Sequence, residues 1–281
     1  NNRFALGVVA GSSVLGMLIP PSLLLIIYGV LAEQSVGTLF LAAIVPGGIL
    51  AFVFGLGIYL MAVFRPRSVM QSDRPVIIEG ETWITAVQKL SPIATLVIIV
   101  LGGIYSGFFT PTEAGAAGAA AAILVAIAKR NLTWAKSWRV LVDTGLVSVS
   151  ILMLIIAASM YSRMLTLSTI PQETTQFVAG LGLGLMGFML LYLLLVVIMG
   201  MFLDSTSIML ILLPLCLPIV TELGGDLIWF GIVTVIAVEI GLLTPPFGLT
   251  VYVVKATIAD RNTTLSDIFV GTFPFVIMMT L

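Results

Sequence analysis

The chain has no histidine among its 281 residues, a single cysteine, and charged side chains at only 9% of positions. Without histidine, triads of the Ser-His-Asp kind, imidazole metal sites and histidine proton relays are excluded. Cys216 cannot form an internal disulfide, and its apolar neighbourhood suits a small packing residue. Twelve basic residues stand against thirteen acidic ones, which leaves no basic surface for nucleic acid, and that partner is set aside. No nucleotide-binding Gly-Lys loop is present, so an ATP-driven pump built on one is excluded. A signal peptide is also missing. The chain opens at Asn1 without Met, and Arg3 leads directly into a hydrophobic span, as expected of the later part of a longer polypeptide.

What is abundant is apolar sequence. Sixty per cent of residues are hydrophobic and the mean hydropathy is +1.22, far above the soluble range. The composition predicts an all-α polytopic membrane protein. Inside this apolar background two stretches break the pattern. Gly16-Met-Leu-Ile-Pro-Pro-Ser22 and Ile240-Gly-Leu-Leu-Thr-Pro-Pro-Phe-Gly248 each place two adjacent prolines within an apolar run. Each pair removes two backbone donors and clashes with the preceding turn, so the helix must break. Carbonyls freed in hydrocarbon are tolerated only against protein or a water-filled cavity. Gly16, Leu18, Pro20, Pro21 and Leu24 pair with Gly241, Leu243, Pro245, Pro246 and Leu249 at one constant offset of 225 residues. The breaks are either packing kinks or, as paired interrupted helices, the substrate site of a secondary transporter.

Taken in order, a first span at about residues 4–30 carries the first break, and a second runs from Leu39 to Phe64. Arg65 to Lys89 is the one long polar connection, its later part (77–90) patterned as an interfacial helix around Trp83. A third span (93–109) turns at Thr110-Pro111 into an Ala/Gly-rich fourth (114–128), whose Gly115-Ala-Ala-Gly118 admits a close helix neighbour. Lys129 to Arg139 reads as a basic loop, Val140 to Tyr161 as a fifth span, and Arg163 to Gln176 as an interfacial segment. From Leu181 to Val220 an apolar stretch is interrupted only by Asp204-Ser-Thr-Ser207. That is either a re-entrant hairpin with its tip at Asp204 or two spans. The second broken helix to Lys255 and a final span from Ile268 complete the chain.

With Arg3 cytoplasmic, alternation places every basic residue except Arg163 inside, a strong positive-inside bias. The first broken helix then runs outward and the second inward, so the two copies are inverted. The twin of Asp204 at the same offset would precede Asn1, so one repeat is expected to lack its hairpin here.

Leu15-Gly-Met-Leu-Ile-Pro-Pro-Ser22, Gly107-Phe-Phe-Thr-Pro-Thr-Glu-Ala114, Gly200-Met-Phe-Leu-Asp204 and Ile240-Gly-Leu-Leu-Thr-Pro-Pro246 together resemble the large membrane subunit of TRAP (tripartite ATP-independent periplasmic) transporters, in the family's order across almost the whole chain. The resemblance implies an elevator-type fold in the bacterial inner membrane and sodium-driven uptake of an organic carboxylate of the C4-dicarboxylate or sialic acid type. It also implies a small membrane subunit, separate or fused, and a periplasmic substrate-binding protein as partners. No cofactor is implied beyond Na⁺ as coupling ion. By motif match the substrate and ion sites fall on Gly16, Pro20, Pro21 and Ser22; on Asp204, Ser205, Thr206 and Ser207; and on Gly241, Thr244, Pro245, Pro246 and Gly248. Sodium is expected near Asp204, Thr206, Gly241 and Thr244, and near Gly16, Pro20 and Ser22. Residues 1–36 and 181–259 would form the transport domain and 37–90 scaffold. Residues 91–180 would open the second repeat, and 260–281 would be the final span. The chain departs from the family pattern in the absent first hairpin and in Glu239, where a neutral amide is expected.

Each feature also has a plainer reading. Asp204 is either a helix cap or, because intramembrane carboxylates are costly, a cation ligand. Thr110-Pro-Thr-Glu113 fits a capping box at the external surface. Glu239 either pairs with a cation or sits protonated between helices. Arg163, the lone external basic residue, suits a snorkelling interfacial anchor better than a substrate clamp, and the thirteen Met residues are fillers. The chain is accordingly no enzyme but an ion-coupled transporter subunit, the alternative being a channel or scaffold subunit. Asp204 and Glu239 as an intramembrane acid pair is the remote third reading.

Overall fold

The computed structural model describes residues 2–69, 83–130, 132–180, 182, 184–258 and 263–280. Its elements are helices: α1 (Asn2–Ser13), α2 (Leu15–Leu18), α3 (Leu23–Leu31), α4 (Val36–Phe64), α5 (Pro66–Val69), α6 (Trp83–Tyr105), α7 (Pro111–Ala128), α8 (Trp134–Leu167), α9 (Ile170–Gly180), α10 (Gly184–Gly200), α11 (Ser205–Glu222), α12 (Leu227–Leu243), α13 (Leu249–Thr257) and α14 (Leu265–Thr280). Among the described residues, five helices are long and apolar enough to cross a membrane, with a sixth crossing if α1–α2 and α3, bent by 40° at their break, count as one span. The chain is a polytopic membrane protein, as its composition demands.

Local chemistry starts these helices where the sequence places polar residues. Ser22, Ser35, Thr110, Asp204 and Asp226 each accept a backbone N–H of the first turn and cap α3, α4, α7, α11 and α12. Each such cap is worth about 1 kcal/mol. In hydrocarbon it matters more, because the first four N–H groups of a helix find no water there.

The chain divides into two compact units, residues 1–71 with 155–281, and residues 72–154. In the first, α12 is the centre, packed by α2, α3, α4, α10, α11, α13 and α14. Phe230, Val235 and Val238 on it are fully buried. Tyr28 of α3 lies over Gly231 and donates its hydroxyl to the Leu227 carbonyl. On the other side, Tyr192 of α10 and Thr234 of α12 share a hydrogen bond of 3.0 Å. α1 and α14 touch backbone to backbone at Gly7 and Gly271, where an added Cβ would lie 2.1 Å from a carbonyl oxygen across the pair. Arg3 and Asp267 join the same two helices through a 2.6 Å ion pair.

In the second unit α6 and α7 form a helical hairpin. At its turn the Thr110 hydroxyl accepts the Glu113 N–H at 3.3 Å while Glu113 accepts the Thr110 N–H at 2.8 Å. This is the expected capping box. Gly118 sits beside Val100, where a Cβ would be 2.7 Å from the valine methyl.

Several boundaries differ from the sequence reading. The interfacial helix expected over 77–90 lies partly outside the described residues. Its described part, from Trp83, is continuous with the next span through Pro92. α8 begins at Trp134, five residues before the expected end of the basic loop, because Thr133 accepts the Lys136 N–H. It also continues to Leu167, absorbing Arg163. At 34 residues it is about 50 Å long, more than the hydrocarbon thickness of about 30 Å. A polar residue near its end therefore need not stop it. α14 starts at Leu265, through Thr264 and Asp267, which exchange the same reciprocal bonds as a capping box.

Candidate functional site

The apolar stretch around Asp204 is a helical hairpin, with α10 entering, Met201–Asp204 turning, and α11 returning. Its tip lies on the second break. Gly200 and Gly241 face each other so closely that a Cβ on Gly241 would be 2.7 Å from both Gly200 Cα and the Val197 oxygen. The Gly248 N–H donates to the Met201 carbonyl at 3.4 Å, and the rings of Phe202 and Phe247 are 5.7 Å apart. The turn that leads into Asp204 is thereby held against the break between Gly241 and Gly248. Gly248 is left-handed at φ +53°, a backbone that suits glycine, and it opens α13.

Four helix ends converge there. α10 and α12 end at the tip and the break, presenting carbonyls and the negative ends of their dipoles. α11 and α13 begin there, presenting N–H groups and positive ends. One small region therefore offers cation-binding oxygens beside anion-binding amides. Asp204 is exposed, accepts the Ser207 N–H at 3.1 Å and also takes the Ser207 hydroxyl. Capping and ion binding remain compatible, because a carboxylate has about four acceptor sites. Thr244 donates its hydroxyl to Ile240 at 2.6 Å and its N–H to Gly241 at 3.0 Å, which uses its one hydroxyl hydrogen and leaves the oxygen able to accept. The donors are all oxygens, the set a hard cation such as Na⁺ takes.

The first break is built from contacts of its own. Gly16 is open to its surroundings, with no atom within 4 Å of an added Cβ. Ser22 is fully buried, donates to the Met17 carbonyl and accepts the Leu25 N–H at 3.3 Å. Pro20 is buried and Pro21 exposed. Ile19 packs on Gly47 of α4, and α2 packs against α12. Among the described residues no hydrogen bond or ring contact joins this set to Asp204. Both Pro-Pro bonds, Pro20–Pro21 and Pro245–Pro246, are cis.

Glu239 is the residue the sequence left open. It is 1% exposed on the central helix, and both carboxylate oxygens are without a hydrogen-bond partner among the described residues. One helical turn separates it from the break. A charge left unpaired in such a place is costly.

Comparison with known proteins places these features in context. A family profile described as "Tripartite ATP-independent periplasmic transporter, DctM component" matches residues 1–281. A C4-dicarboxylate TRAP transporter large permease protein of Pseudomonas aeruginosa is 37% identical over 254 residues, covering 90% of this chain and 58% of the relative. Its counterpart in Rhodobacter capsulatus is 31% identical, covering 99% and 64%. An ectoine TRAP transporter large permease protein of Halomonas elongata is 31% identical, covering 100% and 64%. The chain thus spans roughly three-fifths of the length of these relatives.

Proposed function

The chain belongs to the DctM component family of tripartite ATP-independent periplasmic transporters, and from that premise we propose that it forms the transporting part of a sodium-coupled importer of an organic acid. It is an integral protein of the bacterial inner membrane. Its partners are a small membrane subunit and a periplasmic binding protein that delivers the substrate. The substrate is an organic carboxylate.

The observation that carries this reading is the seating of the hairpin tip on the second break, with four helix ends and an all-oxygen donor set in one place. In this reading Asp204, Thr206, Thr244 and the carbonyls ending α12 hold a sodium ion, with Gly241 allowing the close approach. The N-termini of α11 and α13 face the substrate carboxylate. The first break, with Gly16, Pro20 and Ser22, forms the corresponding half of an inverted pair and holds a second ion. Residues 1–36 and 181–259 move together as the transport domain, and 37–90 belongs to the scaffold.

Binding at the tip couples the two solutes through charge. A sodium ion beside Asp204 offsets the negative charge that the substrate carboxylate brings into a partly dehydrated site. Each therefore raises the affinity for the other, and the linkage is reciprocal. A channel or scaffold subunit has no need of such coupling. Uptake into proteoliposomes by the assembled transporter separates the readings. Accumulation of substrate above its outside concentration supports transport, and a final inside concentration equal to the outside one removes it.

A further inference from the structure

A cavity of about 740 Å³ lies in the first unit between the end of α3, residues 158–166 of α8 and the later part of α11. It is distinct from the hairpin tip. Ala158 and Leu31 on its wall also belong to an apolar cluster with Ile27 and Leu210. Leu210 lies on α11 between the cavity residue Pro214 and the tip at Asp204, so apolar side chains separate the cavity from the tip. Its size suits a small organic solute.

The polar groups on its wall have an unusual balance. Arg163 lines it together with Glu33 and Glu222, one cation against two anions, and none of the three forms an ion pair among the described residues. The hydroxyls around them are acceptors. Ser159 donates to Ile155, Thr166 to Ser162 and Thr221 to Leu217, each at 2.9 Å, which uses the only hydroxyl hydrogen and leaves outward lone pairs. A dicarboxylate entering this cavity would find one guanidinium, two like charges and few donors. A solute with a carboxylate and a cationic group satisfies both signs at once.

We propose that this cavity is a reception site for a zwitterionic organic acid, its carboxylate on Arg163 and its cationic group on Glu33 and Glu222. The orientation in which the cavity opens to the periplasm rests on the transporter reading above. There the cavity receives solute before the tip does, and it selects zwitterions over dicarboxylates by charge.

The test is site-directed labelling. Ser162→Cys places a thiol on the cavity wall, while the native Cys216 is buried. The assembled transporter in proteoliposomes, without any ion gradient, is treated with a membrane-impermeant maleimide in the presence of ectoine or succinate. Ectoine is expected to slow labelling about tenfold, as roughly 90% occupancy does, and succinate to leave the rate unchanged. Arg163→Gln removes the protection and Arg163→Lys retains most of it. Glu33→Gln with Glu222→Gln transfers protection to succinate. Equal protection by both solutes, or by neither, overturns the proposal. Because no gradient is used, protection without sodium-driven uptake would sink the transporter reading and leave the cavity assignment standing.

Discussion

Replacing Gly241 by Ala tests whether the hairpin tip depends on backbone contact with the second break. The added methyl would lie 2.7 Å from Gly200 Cα and from the Val197 oxygen. Comfortable carbon contacts are about 3.5–4.0 Å, so α10 and α12 must part by about 1 Å. The opposing atoms are backbone and cannot rotate away. Overpacking of this kind costs about 1–3 kcal/mol. The 3.0 Å Tyr192–Thr234 bond spans the same pair, and weakening it adds about 1 kcal/mol. Alanine returns about 1 kcal/mol through helix propensity. The net loss is therefore about 1–3 kcal/mol, or a melting temperature lower by roughly 3–10 °C. Gly48→Ala is the control, since nothing lies within 4 Å of a Cβ there. Thermal unfolding of both variants in detergent, followed by uptake of the assembled transporter, reads the effect. Gly241→Ala as stable and active as Gly48→Ala would refute the close-contact account.

Asp204→Asn should raise the sodium concentration needed for half-maximal uptake roughly tenfold to hundredfold, from the loss of about 1.5–3 kcal/mol of charged interaction. Because Asn caps a helix nearly as well as Asp, thermal stability should hardly move, and an unchanged sodium dependence would return Asp204 to a capping role alone. Thr110→Ala removes both side-chain bonds of the α7 cap and should cost about 1 kcal/mol of stability, with sodium dependence intact; a changed sodium affinity would contradict a structural role. Cysteines at Gln34 and Arg65, at the two ends of α4, should react with impermeant reagents from opposite faces, Gln34 from outside. Labelling from one face would remove the positive-inside orientation and the inverted pair with it.

Backbone chemistry was the most legible part of this molecule. The two Pro-Pro stretches announced their breaks because proline removes donors wherever it stands, and Thr110 with Glu113 announced a cap because the spacing alone sets its geometry. The hairpin at Asp204 was readable only as one of two possibilities. The apposition of Gly200 and Gly241, a contact between residues 41 positions apart, fits both and is not encoded in composition. The polarity of the Arg163–Gln176 segment predicts an end at Tyr161, whereas α8 runs on to Leu167, because a long side chain near a helix end reaches polar surroundings without ending the helix. The cavity around Arg163 is not legible in the sequence for a related reason. Glu33, Arg163 and Glu222 come from three distant helices, and no local pattern joins them. Glu239 stands out in the sequence as a departure from the family pattern, but its lack of a hydrogen-bond partner among the described residues is a fact of packing.

The central claim is that oxygens at the tip and break couple solute entry to sodium. Its most direct test is uptake by the assembled transporter in proteoliposomes under three conditions: an inward sodium gradient, the same gradient with choline in place of sodium, and an inward proton gradient alone. The account predicts accumulation in the first condition only. Equal uptake with choline, or full uptake driven by protons without sodium, would contradict it.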